Sequence, residues 1–546
     1  MPTAVKSPLE MLYRWERETP DKVFLRQSKA LQWTDYTWVQ VGDQARRIAS
    51  FIRSQGFPTG SRIAIWSTNS RDWVTVELAI MLAGHISVPL YPGQDVESAR
   101  YIFEHSDSKM VFLGSFAQFK RADDAIPPGV ARVAMLGCQV PCLYLLDVVL
   151  ATYAPCTESP IPDPEAIWTI VYTSGTTGNA KGVMHAYGTL GHVGPDLIRI
   201  FGHTSESRFF SFLPMSHIAE RCVVEMAALY CNAVISISEG QQTFADELRS
   251  VQPTFFFSVP RLWLKFKEGI DAKIPPAMQA HLSPEQKKGI ARQLGFAEAR
   301  FIVTGGAPTP RDTQSWFIDM GIILRDCYGM TENCIHGVGW VHNDQPQPGC
   351  VGRPISDKVE VKLSDQGEIM FRSPALMKGY YKDPEKTAEV LRDGWYHTGD
   401  AGRFDNDGNL WITGRVSEVF KTTKGKFVRP TNLENHFGRS ELLAQFCVFG
   451  HGLDQPVVVA TLSESGKKLE LTTLTQQLAT LLDEINGELP AWEKIGCMFV
   501  VRDEWTIDNG LLTPTMKLRR KVIEERFRSF VEADHGKTAV VFEKAA

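Results

Sequence analysis

Apolar and polar residues alternate along the first third of the chain with two periods, one typical of helices and one of strands. A capping-box pair, Thr37 and Gln40, starts a predicted helix whose apolar face comprises Val41, Ala45, Ile48 and Ile52. A second helix is predicted at about 71–82, and apolar runs predict strands at 62–66, 85–91 and 109–113. This alternation of strands and helices predicts an α/β fold with mostly parallel sheets covered by helices.

The later parts of the chain add a second pattern. The apolar run 167–172 reads as a buried strand, and it follows a segment, 155–164, rich in proline, serine and acidic residues. Residues 404–409 are typical of a hairpin tip and precede a strand-like run, 410–415. Beyond it, a strand is predicted at 456–462 and a helix whose apolar face comprises Leu474, Leu478, Leu481 and Ile485. These elements predict a small α+β unit at the C-terminal end.

Length and composition limit the classes of protein. The 546 residues are too many for one compact core and predict two or more domains, and 43% apolar with 22% charged residues is ordinary for a globular protein. The net charge of −5 is small, and Lys and Arg are not gathered into one run. A role in binding nucleic acid therefore finds no support.

Targeting and cysteine patterns add further expectations. No run of eighteen apolar residues is present, and the first residues lack the pattern of a secretion signal, so we expect a cytosolic protein. The ten cysteines are scattered without a Cys-x-x-Cys pair, so neither a zinc site nor a disulfide framework is expected.

A loop dense in glycine and hydroxyl groups, 172–182, carries the strongest chemical signal. Glycine lets backbone N–H groups approach phosphate oxygens, while hydroxyl groups add donors and a lysine adds positive charge. The groups concerned are Gly175, Gly178, Gly182, Ser174, Thr176, Thr177 and Lys181. The pattern predicts a polyphosphate site, and ATP is the expected ligand. A flexible turn is the alternative, and the buried strand before the loop argues against it.

A P-loop NTPase is the first competing interpretation of this loop. Its signature needs glycine directly before the lysine and Ser or Thr directly after it, but Ala180 and Gly182 occupy those positions. The segment after Lys181 also reads as a strand and not as the helix that a P-loop requires. A nucleotide site of another kind is predicted.

With its Tyr-Thr-Ser-Gly-Thr-Thr-Gly core, the loop resembles the phosphate loop of the adenylate-forming enzymes, which include acyl-CoA synthetases, peptide-synthetase adenylation domains and luciferases. Four later motifs of that family occur in the same order: Tyr328-Gly-Met-Thr-Glu332, Trp395-Tyr-His-Thr-Gly-Asp400, Gly414-Arg415 and Leu512-Thr-Pro-Thr-Met-Lys517. The resemblance implies a large N-terminal domain of several subdomains, 1–415, which binds AMP and the acyl group. It also implies a small mobile C-terminal domain, 416–546, and a hinge just beyond Arg415.

The resemblance also implies roles for individual residues at the nucleotide. Tyr328 would stack on adenine, Asp400 and Arg415 would hold the ribose, and Thr331 would contact the α-phosphate. A carboxylate suits two ribose hydroxyls because it only accepts hydrogen bonds; for Asp400 the alternative is a turn residue. The implied nucleotide-binding positions are Thr173, Ser174, Gly175, Thr176, Thr177, Gly178, Lys181, Gly306, Ala307, Pro308, Asp326, Tyr328, Gly329, Asp400 and Arg415.

Activation of a carboxylate by ATP brings two anions together, so charge must be neutralised at phosphorus. By resemblance, Glu332 would hold Mg²⁺, an ion that prefers oxygen ligands, and Lys517 would bridge the substrate carboxylate and the α-phosphate. His217 would lie beside the acyl carbonyl and gate entry of the second substrate. Without their motifs, these residues would read as an exposed glutamate, a cation of the basic helix near 518–530 and a polar surface histidine. The four residues predicted to take part in catalysis are Lys517, Glu332, Thr331 and His217.

Two further segments resemble the long-chain acyl-CoA synthetase branch: Leu213-Pro-Met-Ser-His217 with its continuation to Arg221, and Val259-Pro-Arg-Leu-Trp263. The resemblance implies a medium- to long-chain fatty acid and CoA as substrates beside ATP and Mg²⁺. Aromatic residues at 255–257, 263 and 266 suit either an acyl tunnel or a core.

The chain departs from the family pattern at four positions. Ser417 and Glu418 replace common hinge residues, Lys424 replaces a glycine beside the expected CoA channel, and Ala180 replaces a proline of the phosphate loop. An acyl-AMP ligase that transfers to a carrier-protein thiol is therefore an alternative, as is a non-catalytic homologue that only binds nucleotide. The basic helix near 518–530 leaves peripheral membrane contact open.

Overall fold

The computed structural model describes residues 6–173, 180–341, 344–423, 425–507, 509–513, 517–534 and 538–543. Its largest sheet has eight strands, of which the central ones are almost wholly buried, as their apolar runs predict. In spatial order the strands are Gly379–Tyr380, Lys181–Ala186, Ile167–Thr173, Ile86–Leu90, Arg62–Trp66, Ser108–Leu113, Ala131–Ala134 and Tyr144–Leu145. The first two pairings are antiparallel and the other five are parallel.

Three smaller sheets and one two-stranded pair accompany it in the described residues of the N-terminal part. A mixed sheet contains Arg208–Ser211, Val234–Ile237, Val23–Lys29 and Gln32–Thr37. A parallel sheet contains Phe255–Ser258, Phe301–Thr304 and Leu324–Asp326. An antiparallel sheet contains Glu360–Leu363, Glu368–Arg372, Trp395–Phe404, Leu391–Arg392 and Leu410–Arg415. Val338–Gly339 pairs with Arg353–Pro354.

Helices cover these sheets. The predicted capping box at Thr37 and Gln40 is present and starts the second of the longer helices. These helices are Pro8–Glu18, Trp38–Ser54, Arg71–Leu82, Val96–Ser106, Leu146–Thr152, Tyr187–Phe201, Phe244–Val251, Pro260–Asp271, Pro284–Gln293, Arg311–Asp319 and Pro384–Val390. A helix over 218–231 contains a π-helical turn at Arg221–Met226. Arg221 and Glu77 form a wholly buried ion pair beneath it.

The C-terminal part forms its own sheet and two cores. Its strands are Leu443–Phe449, Val457–Leu462, Cys497–Val501 and Val540–Phe542, with a short ribbon of Phe420–Lys421 and Phe427–Val428. Its longer helices are Pro430–Phe437, Leu471–Glu488 and Arg520–Asp534. The predicted apolar face is correct at Leu474, Leu478 and Ile485, but Leu482, and not Leu481, is the fourth buried residue. The predicted α/β class with a small C-terminal α+β unit is confirmed.

The aromatic residues considered for an acyl tunnel include members of the packed core. Trp263 is wholly buried and its ring lies 5.6 Å from that of Phe256 and 5.2 Å from that of Phe317. The core interpretation therefore applies to Phe256 and Trp263.

Candidate active site

The strands on either side of the predicted phosphate loop form an antiparallel pair that closes with Thr173 opposite Lys181. The segment after the loop, Lys181–Ala186, is a strand, as predicted, and not the helix that a P-loop requires. The ammonium group of Lys181 lies 5.2 Å from the ring centre of Tyr380, and burial, together with the charge of Lys386, lowers its pKa. Ser174, Gly175, Thr176, Thr177 and Gly178 lie outside the described residues.

Glu332 is fixed at two points by the segment that follows Ser373. Its backbone carbonyl accepts from the Met377 N–H at 2.7 Å, and its Oε1 accepts from the Tyr380 hydroxyl at 2.9 Å. The side chain is half-buried, and its Oε2 accepts no hydrogen bond from the described residues. An ionised carboxylate oxygen free in this way suits Mg²⁺, which usually binds proteins through one or two carboxylates. Glu332 thus fits the predicted metal role.

Thr331 is buried beside Glu332, and a histidine holds its backbone. The Thr331 carbonyl lies 2.6 Å from Nε2 of His185, so this nitrogen carries the proton and donates. Burial lowers the pKa of His185 to about 4, which keeps the ring neutral near pH 7. His185 lies four residues beyond Lys181 on the same strand, so it ties the Thr331 segment to the phosphate-loop strand.

The residues predicted to face adenine and ribose are in contact. The Tyr328 hydroxyl donates to Asp400 Oδ2 at 2.6 Å, and Nε of Arg415 lies 3.1 Å from Asp400 Oδ1. Asp400 and Arg415 are also directly opposite each other on paired strands. Burial raises the pKa of Tyr328, and the neighbouring Asp400 raises it further. The structure therefore brings Tyr328, Asp400 and Arg415 into one cluster, joined by a hydrogen bond and an ion pair.

Asp326 and the Gly306–Pro308 segment meet because they follow adjacent parallel strands. Thr304 and Asp326 are partners in the strand register, and Gly306, two residues beyond Thr304, has φ +82°, a left-handed conformation that favours glycine. Burial raises the pKa of Asp326 to about 7, although the Cys327 N–H donates to its Oδ1 at 2.9 Å. Ala307 and Pro308 continue this loop.

Lys517 and His217 are far apart in sequence, yet the charge of Lys517 affects the pKa of His217. Lys517 has exposed surface, yet protein groups surround its ammonium, and this desolvation lowers its pKa; Arg415 lowers it further, while Asp400 and Glu332 raise it. Burial lowers the pKa of His217 to about 4, and the charge of Lys517 acts in the same direction. His217 Nδ1 accepts from the Ala219 N–H at 3.1 Å, which starts the helix over 218–231.

A half-buried arginine anchors the segment that carries Lys517. Nη2 of Arg520 donates to Glu434 Oε2 at 2.9 Å, and its Nε lies 3.2 Å from Glu418 Oε2. Nη1 also donates to the Val448 carbonyl at 2.8 Å. Arg520 thus joins the residue just after the predicted hinge to the start of the last long helix.

Sequence reasoning missed two residues that contact members of the predicted site: His185 and Tyr380. Each acts through a partner far away in sequence, such as Tyr380 with Glu332 at a separation of 48 residues. No local spacing signals such pairs. The one sequence signal for His185 is its place on the strand Lys181–Ala186, which begins with the predicted lysine.

Two features are absent from the residues that the structure describes. Among them, no helix is both long and apolar enough to cross a membrane. Within the same ranges, no cluster of three or more His, Cys, Asp or Glu side chains has the arrangement of a metal site.

Comparison with known families identifies the class of protein. Residues 12–381 match the family described as AMP-binding enzyme, and residues 418–537 match the AMP-binding enzyme C-terminal domain. The chain belongs to the AMP-binding enzyme family.

Several similar proteins have names that refer to long-chain fatty acids or acyl-CoA. The chain is 28% identical to the long-chain-fatty-acid–CoA ligase 5 of Rattus norvegicus, over 91% of this chain and 84% of that protein. It is 26% identical to the long-chain-fatty-acid–CoA ligase FadD15 of Mycobacterium tuberculosis, over 96% of each. The long chain acyl-CoA synthetase 2 of Arabidopsis thaliana is 26% identical over 97% of this chain and 92% of that one.

Solved structures share the fold at lower identity. ATP-bound MatB from Rhodopseudomonas palustris superposes with a TM-score of 0.79 at 20% identity, covering 96% of this chain and 99% of that one. The adenylation domain of a carboxylate reductase from Mycobacterium chelonae gives a TM-score of 0.80 at 22% identity, covering 98% and 91%.

Proposed function

We propose that the protein activates a medium- to long-chain fatty acid with ATP to give acyl-AMP, and then forms the CoA thioester with release of AMP. One observation carries this proposal: the charges of Glu332 and Asp400, in the N-terminal part, raise the pKa of Lys517, in the C-terminal part, so the three groups act on one another. Adenylation requires a cation near the α-phosphate. Lys517 would supply it between Asp400, which faces the nucleotide, and Glu332, which suits the metal.

In the first half-reaction, a carboxylate oxygen of the fatty acid attacks the α-phosphorus. The bond from that phosphorus to the bridging oxygen of the β-phosphate breaks, and pyrophosphate leaves. Lys517 bridges the incoming carboxylate and the α-phosphate, and Thr331 donates to the same phosphate. Lys181 and the loop 174–178 hold the phosphates that leave. Glu332 would hold Mg²⁺, which supplies further neutralisation of phosphate charge when bound.

The nucleoside is held by the cluster already described. Asp400 accepts from the ribose hydroxyls with its remaining lone pairs, while Tyr328 and Arg415 keep the carboxylate in place. Asp326 and the Gly306–Pro308 loop, with Gly329, border the adenine. These contacts fix the α-phosphorus relative to Lys517.

In the second half-reaction, the CoA sulfur attacks the acyl carbonyl carbon, the thiol proton passes to solvent, and the bond from that carbon to the AMP oxygen breaks. Lys517 must withdraw before CoA enters, so the unit 416–546 turns about the segment just beyond Arg415. His217 lies beside the acyl carbonyl, and its neutral ring gates this entry.

The names of the relatives support the choice of substrate. The three proteins described above are long-chain fatty acid–CoA ligases or an acyl-CoA synthetase, and each matches more than nine-tenths of this chain. We extend the proposal to a cytosolic enzyme in peripheral contact with membranes, where long fatty acids reside; cell fractionation tests that part separately.

The decisive experiment measures AMP formation from MgATP with saturated fatty acids from C6 to C18, each with and without CoA. AMP release that depends on both fatty acid and CoA, with an acyl-CoA product, is the expected result. Acyl-AMP that accumulates with CoA and is consumed by a phosphopantetheinylated carrier protein would instead favour transfer to a carrier. ATP binding without AMP formation for any acid would contradict the enzyme and favour a binding protein.

A further inference from the structure

The loop 328–338, which carries Thr331 and Glu332, is closed and strained. Tyr328 and Val338 exchange two backbone hydrogen bonds, of 2.9 and 2.8 Å, at its base. At its far end, Cys334 and Ile335 have φ of +50° and +55°. The left-handed conformation is rare for a β-branched residue such as isoleucine and persists only where the surroundings impose it.

Close backbone packing is part of what imposes this shape. A Cβ atom on Gly329 would lie 2.9 Å from the Cα of Ile335, and one on Gly337 would lie 2.3 Å from the Tyr328 carbonyl oxygen. Both distances are too short for any side chain. The loop therefore folds back on itself at two glycines, but packing alone does not attach it to the rest of the protein.

His336 makes that attachment. Its side chain is wholly buried, with Nε2 3.0 Å from Asp196 Oδ2 and Nδ1 2.8 Å from the Ser373 hydroxyl. Asp196 lies on the helix Tyr187–Phe201, and Ser373 follows the strand Glu368–Arg372. One imidazole thus joins the strained turn to two other elements of the fold.

The hydrogen bonds of this group are mutually consistent. Ser373 accepts from the Ala375 N–H at 3.1 Å, which leaves its own proton for His336 Nδ1. His336 Nε2–H then donates to Asp196, which also accepts from the Ser356 hydroxyl at 2.9 Å. Burial tends to raise the pKa of Asp196, but these hydrogen bonds and the charge of Lys358 outweigh it and hold that pKa well below the ordinary value.

Ser373 also begins the segment that holds Glu332. The Met377 N–H and the Tyr380 hydroxyl, four and seven residues further on, are the two donors to Glu332 described above. His336 therefore connects both sides of the Glu332 site: the turn that follows the glutamate and the segment that donates to it.

We propose that His336 is a positioning residue for the nucleotide site, which fixes Thr331 and Glu332 by clamping the strained turn between Asp196 and Ser373. The inference deepens the proposed function and rests on it. Residues that orient a metal-binding carboxylate are typically worth about 10- to 100-fold in affinity or activity.

The test compares His336→Ala with Ser373→Ala, Ser373→Thr and Asp196→Asn. The matched control is His203→Ala, which removes another buried imidazole, one that packs against Phe209 and Phe255. Hydrogen exchange of the amides at 329–336 is measured first, without nucleotide. We expect exchange to quicken about ten-fold or more in His336→Ala and less in Ser373→Ala, and to return towards wild type in Ser373→Thr, which keeps the hydroxyl.

Kinetics provide the second readout. In His336→Ala we expect the KM for MgATP to rise about 10- to 100-fold, while the KM for the fatty acid and the thioesterification of supplied acyl-AMP change little. His203→Ala should alter neither readout. Unchanged exchange and unchanged KM for MgATP in the His336 and Ser373 variants would overturn the proposal.

This design distinguishes failure of the proposed function from failure of the proposal for His336. Wild-type protein without AMP formation contradicts the proposed function, whereas the exchange data still decide whether His336 clamps the turn. If His336→Ala does not fold, Ser373→Ala, which removes one hydroxyl group, decides the matter.

Discussion

The two sides of the candidate site are held in contrasting ways. On the nucleotide side, Tyr328, Asp400 and Glu332 each have a side-chain hydrogen bond to a residue at least 48 positions away. On the other side, the backbone of Lys517 is held by Thr513, at 2.8 and 3.0 Å, and no hydrogen bond joins its ammonium to the described residues. One side is assembled by the whole fold, and the other by a local turn.

The contrast bears on the proposed movement of the C-terminal part. The ion pair recorded between the C-terminal part and the helix Pro260–Asp271 joins Arg261 to Glu504, at 3.7 Å between two exposed side chains. Exposed pairs of this kind contribute about 0–1 kcal/mol. A preformed nucleotide side and a weakly attached lysine side suit an enzyme that binds ATP first and exchanges its catalytic groups afterwards.

The largest effect is expected from removal of the lysine. Lys517→Ala should slow adenylation by about 100- to 1,000-fold, the loss typical of one group that stabilises transition-state charge. Thioesterification of supplied acyl-AMP should be retained, as measured by acyl-CoA formation. Lys521→Ala, an exposed lysine on the helix that follows, serves as control. Equal loss in both half-reactions would show that Lys517 is not specific to adenylation.

The ribose cluster should give the next largest effect. Asp400→Asn removes the charge that Arg415 and Tyr328 face, and hydrogen bonds to a charged group are worth about 1.5–3 kcal/mol. We expect the KM for ATP to rise about ten-fold or more while the KM for fatty acid stays the same. Asp407→Asn, in the exposed hairpin tip, should match wild type. A change in the KM for the fatty acid alone would show that Asp400 does not contribute to the nucleotide site.

A smaller effect is expected at the Glu332 carboxylate. Tyr380→Phe removes one donor to this carboxylate, but Glu332 is partly exposed and water can replace the donor, so the KM for MgATP should rise only about five-fold, less than the full loss of a hydrogen bond to a charged group. A titration of activity with Mg²⁺ at fixed ATP checks this. Tyr381→Phe is the control, because that hydroxyl makes no hydrogen bond to another described residue. Identical behaviour of the two variants would contradict the assigned contact.

The smallest effect concerns stability and pH. The pKa of Asp326 is raised to about 7, so the folded protein keeps a proton between about pH 4 and 7 that the unfolded chain releases. This contribution to the free energy of unfolding is present below pH 4 and is lost as the pH rises towards 7. Relative to wild type, Asp326→Asn should therefore gain about 1–4 kcal/mol between pH 5 and pH 8.

Denaturant unfolding without nucleotide, at several pH values, measures that gain. The exposed Asp312→Asn variant should show a constant difference from wild type across the same range. A constant difference for Asp326→Asn as well would mean that its carboxyl is already ionised at pH 5.

Local sequence predicted much of the fold, because the signals concerned act within a few residues. The strand Arg62–Trp66, the helix Arg71–Leu82 and the capping box at Thr37 follow from periodicity and hydroxyl placement alone. The prediction of Leu481 in place of Leu482 has a simple cause. The two residues are neighbours on the helix, and only packing against the sheet decides which one is buried.

The site was less accessible to the same reasoning. Motifs pointed to Asp400, Arg415, Tyr328 and Glu332, and the contacts among the first three agree with a shared role, while the roles themselves remain predictions. His336 and Tyr380 carry no motif, since their meaning lies in partners such as Asp196 and Glu332 that only the folded chain brings near.

The half-buried arginine at the start of the last long helix has a mechanical consequence. Arg520 binds Glu418 and Glu434 at once, so the segment after the proposed hinge and the base of the lysine turn belong to one stiff body. Such a body rotates as one unit. The proposed rotation about the segment near 416–418 would therefore move Glu418, Glu434 and the base of the Lys517 turn together.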